Sequence, residues 1–588
     1  MLLGLPFIVG AGTLTAQTAD RSEAPVAADT FRMNARTVVE DVVVLDKNGA
    51  AVPSLRKEDF QIFEDGKPQA ISFFEANFAD TGPAATPVPL PPNTFTNVPT
   101  VAPNQSINVL LMDALNTPSS DQIYVHLQMV KYLASLPPGV RIGVFMLSER
   151  LRMIQGVTQD SNVLREAIAK FASKPAPSDL LPSAAQTEAQ NSLVSSMKQM
   201  ESDSQGSQLS PAQTSQLTDS ADALRGFLEQ ESRVEDNARL LFTLDSLQVL
   251  ARYLAGIPGR KNLIWFVGDI PYCSPDKCPY SDTYHETQMM LAAARVSVYP
   301  IGAKGAEAPG DASDNSSAQS TNASDLLAAQ NAAFAADNKD RGFRHINMDT
   351  WAEETGGKAH YDTNGLKDAL ADDVESGSRY YTLAYVPKDT KNEGRERKID
   401  VKVAGGTYKL YYRRSYLEQT QKQIKVTKSA PVDDPLRPLM DRGLPSATEI
   451  PFRLKVVPSP VQPGAGSPRA GENAQLSGNL TRYIIGFQLP ADSLSLVPDE
   501  DGARRRPLEV AVVVYSHEGK PLNWEVRNVN LLIKPEQWAM ARTAGIPFHL
   551  EIDAPPGDVY LRTGVYDLSM RKAGTLEVPL TAVTIAGK

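Results

Sequence analysis

Apolar, strand-like segments alternate with helical segments between residues 106 and 386, and this alternation constrains the fold more than any other feature. Strands that alternate with helices are joined by right-handed crossovers, which produce a largely parallel sheet with helices on its faces. A helix is predicted at 121–136, where Ile123, Leu127 and Val130 recur at helical spacing. The sequence therefore predicts an α/β fold with a doubly wound, mostly parallel sheet.

The 588-residue chain is longer than one core usually organises, so several modules are expected. Residues 30–80 are predicted to form a small β module, because Asn48-Gly49 and Asp65-Gly66 separate apolar strands and favour tight hairpin turns. The α/β domain is predicted to span 106–416 and to close with a strand at 380–386, followed by a hairpin over Gly405-Gly406. Short strands separated by turns predict a C-terminal β-sandwich at 449–588.

Composition shifts mark the segments that connect or interrupt these modules. Residues 81–105 are rich in proline and predict an extended linker, and a polar linker is predicted at 417–448. Within the α/β domain, two low-complexity inserts are predicted at 174–234 and 303–342, outside the core.

Residues 1–22 resemble a secretory signal peptide without its basic start, because an apolar stretch with small residues precedes a polar segment. The alternative is a buried N-terminal strand or helix. The stretch is shorter than the ~20 residues that span a bilayer, and no transmembrane helix is predicted. We therefore expect a periplasmic or secreted protein, in which Cys273 and Cys278 form a local disulfide rather than part of a zinc site.

Charge and motif content argue against two broad classes of function. The 59 basic and 69 acidic residues leave a net charge of −10, and Arg504-Arg505-Arg506 is the longest basic run, so a nucleic-acid partner is not expected. The sequence contains no nucleophile-elbow, phosphate-loop or dinucleotide-binding motif. We therefore expect a protein that is not an enzyme, and no small-molecule substrate is identified.

Asp113 is the leading candidate for a functional residue, because it ends the apolar segment 108–112 and a polar turn to Thr117 and Pro118 follows. Ligands bind at the carboxyl ends of strands in open α/β sheets. The alternative interpretation is a structural cap, in which the carboxylate accepts backbone N–H bonds within the turn.

Five segments together resemble the von Willebrand factor A-related domain of a family of exported acidobacterial proteins, and the resemblance covers most of residues 30–415. It implies an A-type fold in an exported protein. The segments are Lys57 to Gly66, Leu110 to Thr117, Gly259 to Phe266, Glu354 to Gly357 and Tyr380 to Pro387.

The resemblance also implies a metal-ion-dependent adhesion site for Mg²⁺ or Ca²⁺, ions that prefer oxygen ligands. Asp113 matches the aspartate of the family's D-x-S-x-S turn and Thr117 matches its second serine, while Asp269 lies near the expected position of a later aspartate. Leu115 replaces the first serine and cannot coordinate a metal ion, so the site is degenerate.

We therefore expect an exported, non-enzymatic binding or scaffolding protein that uses its Asp113 face to engage another extracytoplasmic protein. One alternative is a structural envelope component with a vestigial metal site, which assembles through the edges of its β-sandwiches. The other is a hydrolase that holds a metal ion between Asp113 and Asp269.

Overall fold

The computed structural model describes nine stretches of the chain, and the predicted signal peptide at 1–22 lies outside them. The stretches are 37–78, 89–99, 106–172, 211–270, 278–304, 341–388, 395–417, 434–464 and 468–584.

The described residues form the following elements, numbered in chain order. The strands are β1 (Val38–Leu45), β2 (Phe60–Glu64), β3 (Lys67–Gln69), β4 (Ile71–Asn77), β5 (Thr94–Thr96), β6 (Ile107–Asp113), β7 (Ile142–Leu147), β8 (Leu151–Thr158), β9 (Lys261–Val267), β10 (Val296–Gly302), β11 (Tyr380–Tyr385), β12 (Glu396–Val403), β13 (Lys409–Tyr411), β14 (Ser415–Leu417), β15 (Arg453–Pro458), β16 (Thr481–Leu489), β17 (Arg504–Tyr515), β18 (Pro521–Ile533), β19 (Ile546–Ala554), β20 (Tyr560–Asp567) and β21 (Lys572–Pro579). The α-helices are α1 (Ser119–Ala134), α2 (Ser161–Ala172), α3 (Pro211–Ala255), α4 (Ser281–Ala293), α5 (341–355), α6 (Leu366–Gly377) and α7 (Trp538–Ala544).

One sheet of five strands, in the order β10-β9-β6-β7-β8, contains the parallel pairs of the described chain. Its edge strand β8 pairs antiparallel with β7. Helices cover both faces, because neighbouring residues of β6 point to opposite sides. Leu111 packs in a core with α3 residues such as Leu247, whereas Leu110 packs in a second core with Met129 of α1 and Leu370 of α6. Burial on both faces explains why these strands are apolar along their whole length.

The other four sheets of the described chain are antiparallel. The protein as a whole is therefore a mixed α/β protein whose sheets are mostly antiparallel, and the predicted mostly parallel architecture does not describe the whole chain. The difference arises because the parallel pairing is confined to one sheet of five strands, while hairpins and long-range antiparallel pairs build the rest.

An N-terminal sandwich consists of the sheets β13-β1-β11-β4 and β14-β12-β2-β3. The strand predicted to close the α/β domain, β11, instead pairs antiparallel with β1 and β4. Tyr381 of β11 explains this placement, because its ring packs against Phe60 of β2, Phe74 of β4 and Phe78. Residues 38–77 therefore share one core with β11 to β14 and do not complete a module by themselves.

The C-terminal sandwich consists of the sheets β19-β16-β15-β5 and β18-β17-β20-β21, which enclose one core. Its strand β5 comes from the predicted linker 81–105 and pairs with β15. The side chain of Asn97 secures this connection, because it donates to the carbonyl oxygens of Ala447 and Ile450 and accepts from the amide of Phe452. The predicted linker therefore contains a strand of the C-terminal sandwich, although its proline content predicted none.

Two further predicted boundaries differ from the structure. Helix α3 begins at Pro211, so residues 211–234 of the predicted insert 174–234 are helical. Alanine, leucine, glutamine and glutamate are good helix formers even where a segment is polar on every side. In the predicted linker 417–448, Leu436 and Met440 are buried against the outer face of the β17-β20 sheet. No helix of the described chain combines the length and the apolar character needed to cross a bilayer.

Two ion pairs hold the acidic side chains of β1, one with the residue just before β10 and one within the N-terminal sandwich itself. Asp41 of β1 accepts from Arg295 Nε at 2.8 Å, and Glu40 accepts from Arg413 Nε at 2.8 Å. Burial raises the pKa of Glu40 to about 7 although Arg413 opposes the shift. The guanidinium of Arg260 extends the network, because it donates to the carbonyl oxygens of Asp41 and Gly356.

We predict that Asp41→Asn destabilises the protein by about 1–3 kcal/mol, because it leaves the partly buried guanidinium of Arg295 without its counter-charge. Urea-induced unfolding of both forms measures the difference. The matched control is Asp501→Asn, which removes the exposed ion pair with Arg505 and should not change the unfolding midpoint. Equal effects of the two substitutions would contradict the role assigned to the buried pair.

Candidate functional site

The turn that follows β6 is organised around the carboxylate of Asp113, which is buried with 2% of its surface exposed. Its Oδ1 accepts from the backbone amide of Asn116 at 2.9 Å. Its Oδ2 accepts from Asn116 Nδ2 at 2.9 Å and from Trp265 Nε1 of β9 at 3.0 Å. Burial raises the pKa of Asp113 to about 6, and these hydrogen bonds oppose part of the shift. Both oxygens are thus engaged in holding the turn against the neighbouring strand.

The side chains of Leu115 and Thr117, the other two positions of the turn that were compared with the metal-binding motif, also point into the protein interior. Leu115 is fully buried in the same apolar core as Trp265, where a serine would lose this packing. Thr117 is buried as well, and its Oγ1 accepts from the backbone amide of Gly268 at 2.9 Å. The threonine hydroxyl therefore joins the Asp113 turn to the loop after β9.

The loop after β9 places Asp269 beside this turn, and the backbone amide of Asp269 donates to the carbonyl oxygen of Asn116 at 3.0 Å. The close approach requires Gly268, where a Cβ atom would lie 2.9 Å from that same carbonyl oxygen. The side chain of Asp269 is exposed. Although the residue reaches solvent, desolvation of its carboxylate by the surrounding chain raises its pKa above the usual value, and the nearby charges of Lys304, Arg344 and Arg239 offset only part of this rise.

The structure thus brings the backbones of the Asp113 turn and the Asp269 loop together, but their side chains serve different contacts. The donor set includes hard oxygen atoms of the kind that Mg²⁺ and Ca²⁺ prefer. Asn116 adds a buried Oδ1 without a hydrogen-bond partner among the described residues. An ion would nevertheless have to share the oxygen atoms of Asp113 with three donors and compete with the three positively charged side chains near Asp269. The observed contacts match the structural cap, and metal ligation by Asp113, Thr117 and Asp269 stays a prediction.

A second polar cluster, which the sequence did not predict, lies beside the edge strand β10. His360, Asp372 and Asp373 each place a potential ligand atom within 4.8 Å of the others. Their spacing matches no recognised motif, and the glycine pair Gly356-Gly357, separated from His360 by two residues, was the available signal of a close backbone approach. The predicted disulfide between Cys273 and Cys278 involves a residue outside the described part of the chain and stays a prediction.

We predict that Asp113 makes the protein less stable as the pH rises from about 4 to about 6. Its folded-state pKa of about 6 lies above the unfolded value of about 3.9, so the folded state binds the extra proton in this range. The stability advantage of the wild type over Asp113→Asn should therefore shrink by up to about 3 kcal/mol between pH 4 and pH 7.

Urea unfolding at several pH values provides the measurement. The companion variant Trp265→Phe removes one donor to the carboxylate and should steepen the pH dependence. An advantage over Asp113→Asn that stays constant with pH would contradict the assignment.

Three solved structures resemble this chain weakly. A von Willebrand factor type A protein from Catenulispora acidiphila has a TM-score of 0.16 and 11% identity over 61% of this chain and 76% of its own. BatB from Bacteroides thetaiotaomicron has a TM-score of 0.19 and 10% identity over 46% of this chain and 98% of its own. Proximal thread matrix protein 1 from the mussel byssus has a TM-score of 0.18 and 14% identity over 34% of this chain, which spans 38% of that protein.

All three TM-scores lie far below 0.5, so these likenesses carry no argument about fold or function. No protein-family model and no curated protein matches the chain.

Proposed function

We propose that the chain is an exported, non-enzymatic binding or scaffolding protein that engages another extracytoplasmic protein without a metal ion at Asp113. The observation that carries this proposal is the engagement of both carboxylate oxygens by Asn116 and Trp265. A carboxylate that already accepts three hydrogen bonds in a buried turn keeps about one lone pair for an ion, so it gains little from a weakly held one. In this proposal, the Asp113 turn holds the neighbouring surface in the position in which it binds the partner protein.

The proposal includes a doubly wound sheet of the von Willebrand factor A type within the five-stranded part of the chain. Three parallel strand pairs and helices on both faces of this sheet support that assignment. The signal-like residues 1–22 support export to the periplasm or beyond the cell. The membership in the exported acidobacterial family rests on the five sequence segments described above.

Metal-dependent adhesion is the second candidate function. Two observations favour it: the Asp269 loop lies against the Asp113 turn, and the buried Oδ1 of Asn116 lacks a partner among the described residues. In this alternative, Mg²⁺ or Ca²⁺ would rest on the oxygen atoms of Asp113, Thr117 and Asp269 and would accept a carboxylate from the partner protein.

We predict that the immobilised full chain captures a partner from an extracytoplasmic extract of its source organism equally well in Mg²⁺ and in EDTA. Asp269→Asn should leave capture unchanged in both buffers, because the proposal assigns no metal to this exposed carboxylate. The matched control is Glu149→Gln, which removes another exposed carboxylate just after β7 in the same sheet.

The alternatives predict different results. Loss of capture in EDTA and in Asp269→Asn, but not in Glu149→Gln, would overturn the proposal in favour of metal-dependent adhesion. Failure to capture any partner in either buffer would count against a binding function and would favour the structural envelope component.

A further inference from the structure

The segment that carries Lys358 and His360 is fixed along the edge of β10 by backbone contacts. The amide of His360 donates to the carbonyl oxygen of Pro300, and the amide of Gly302 donates to the carbonyl oxygen of His360, both at 2.8 Å. The approach is so close that a Cβ atom at Gly357 would lie 1.9 Å from the carbonyl oxygen of Val298. The backbone therefore holds the two side chains in place before any ligand is considered.

Helix α6 presents two adjacent carboxylates to this segment. His360 Nε2 lies 2.7 Å from Asp373 Oδ1, and Lys358 Nζ lies 2.7 Å from Asp372 Oδ2. One ligand atom each of His360, Asp372 and Asp373 lie within 4.8 Å of one another. One imidazole and two carboxylates thus converge from two separately anchored elements.

Asp373 provides an independent indication of a bound cation. Its side chain is completely buried, and its Oδ2 has no hydrogen-bond partner among the described residues. A buried carboxylate oxygen without a partner is costly, because it has lost its water and gained nothing in exchange. Its other oxygen contacts His360 Nε2, so the carboxylate that carries the unpaired oxygen is part of this cluster.

We propose that His360, Asp372 and Asp373 form a binding site for a divalent transition-metal ion of the Zn²⁺ class. Imidazole nitrogen together with carboxylate oxygen suits Zn²⁺ and its neighbours, whereas Mg²⁺ and Ca²⁺ favour oxygen ligands. Three protein ligands leave at least one coordination position for water or for a group from a partner molecule. The ion would give Asp373 the positive counter-charge that its buried carboxylate needs.

This site is separate from the predicted adhesion site. His360 lies beside β10, while Asp113 ends β6, and β9 runs between these two strands. The ammonium group of Lys358 occupies one oxygen of Asp372, so metal binding and this ion pair compete. Removal of the lysine charge should therefore strengthen metal binding, an effect that a purely structural ion-pair cluster would not produce.

The test is a calorimetric titration of Zn²⁺ into the full chain and three variants. Asp372→Asn removes a ligand whose side chain is 45% exposed, so the variant should fold normally. We expect it to weaken Zn²⁺ binding at least tenfold, and we expect Lys358→Gln to strengthen it. The matched control is His517→Ala, which removes an exposed histidine that also lies 2.7 Å from an aspartate, Asp558, and should leave binding unchanged.

Two additional measurements keep the result specific. Repeating the titration with Cys273→Ser and Cys278→Ser combined excludes thiolate binding. Zn²⁺ should also raise the melting temperature of the wild type but not of Asp372→Asn, because a ligand that binds the folded state stabilises it. Absence of Zn²⁺ binding, or equal binding by the wild type, Asp372→Asn and Lys358→Gln, would overturn the proposal.

Discussion

The arrangement of the N-terminal half depends on the buried charges of β1. Asp41 pairs with Arg295, just before β10 of the five-stranded sheet, and Glu40 pairs with Arg413, between β13 and β14 of the same sandwich. A buried ion left without its partner costs several kcal/mol, so each carboxylate tolerates few alternative positions. The strand register of β1 and the position of Arg295, just before β10, are therefore tied together. Apolar contacts alone would allow β1 to shift along its neighbouring strands, whereas the ion pairs hold it in one register.

The Asp41–Arg295 pair also connects the two kinds of sheet in this half of the protein, the antiparallel sandwich and the mainly parallel sheet. Strands β1 to β4 and β11 to β14 lie far apart in sequence but share one sandwich core. The residues of the five-stranded sheet therefore come between the two halves of the sandwich in the sequence. Polar side chains continue from the ion pairs into this sheet, where Asn262 of β9 donates to Asn108 at the start of β6. The Asp113 turn lies at the other end of β6, where the chain has freedom to form loops.

Local patterns predicted the elements better than their partners. The apolar segment 108–112 lies in the strand Ile107–Asp113, and the apolar residues 263–267 lie in the strand Lys261–Val267, because continuous apolar runs mark buried strands. The strand predicted at 380–386 is present as Tyr380–Tyr385, but no local pattern indicates that its neighbours are β1 and β4, about 300 residues earlier. The cluster at His360 was missed for the same reason, since its members meet through the path of the backbone.

An aspartate at the end of a buried parallel strand is consistent with two roles that the sequence pattern does not separate. It can hold a metal ion, or it can cap the turn by accepting hydrogen bonds from the residues that follow. In this protein, Asn116 supplies two donors to Asp113 and the adjacent Trp265 supplies a third. The cap requires the same residue type at the same place, and Leu115 adds core packing that a ligand serine would not provide. A strand that ends on aspartate therefore indicates a fixed turn first. It indicates a metal site only where few neighbouring donors occupy the lone pairs of the carboxylate.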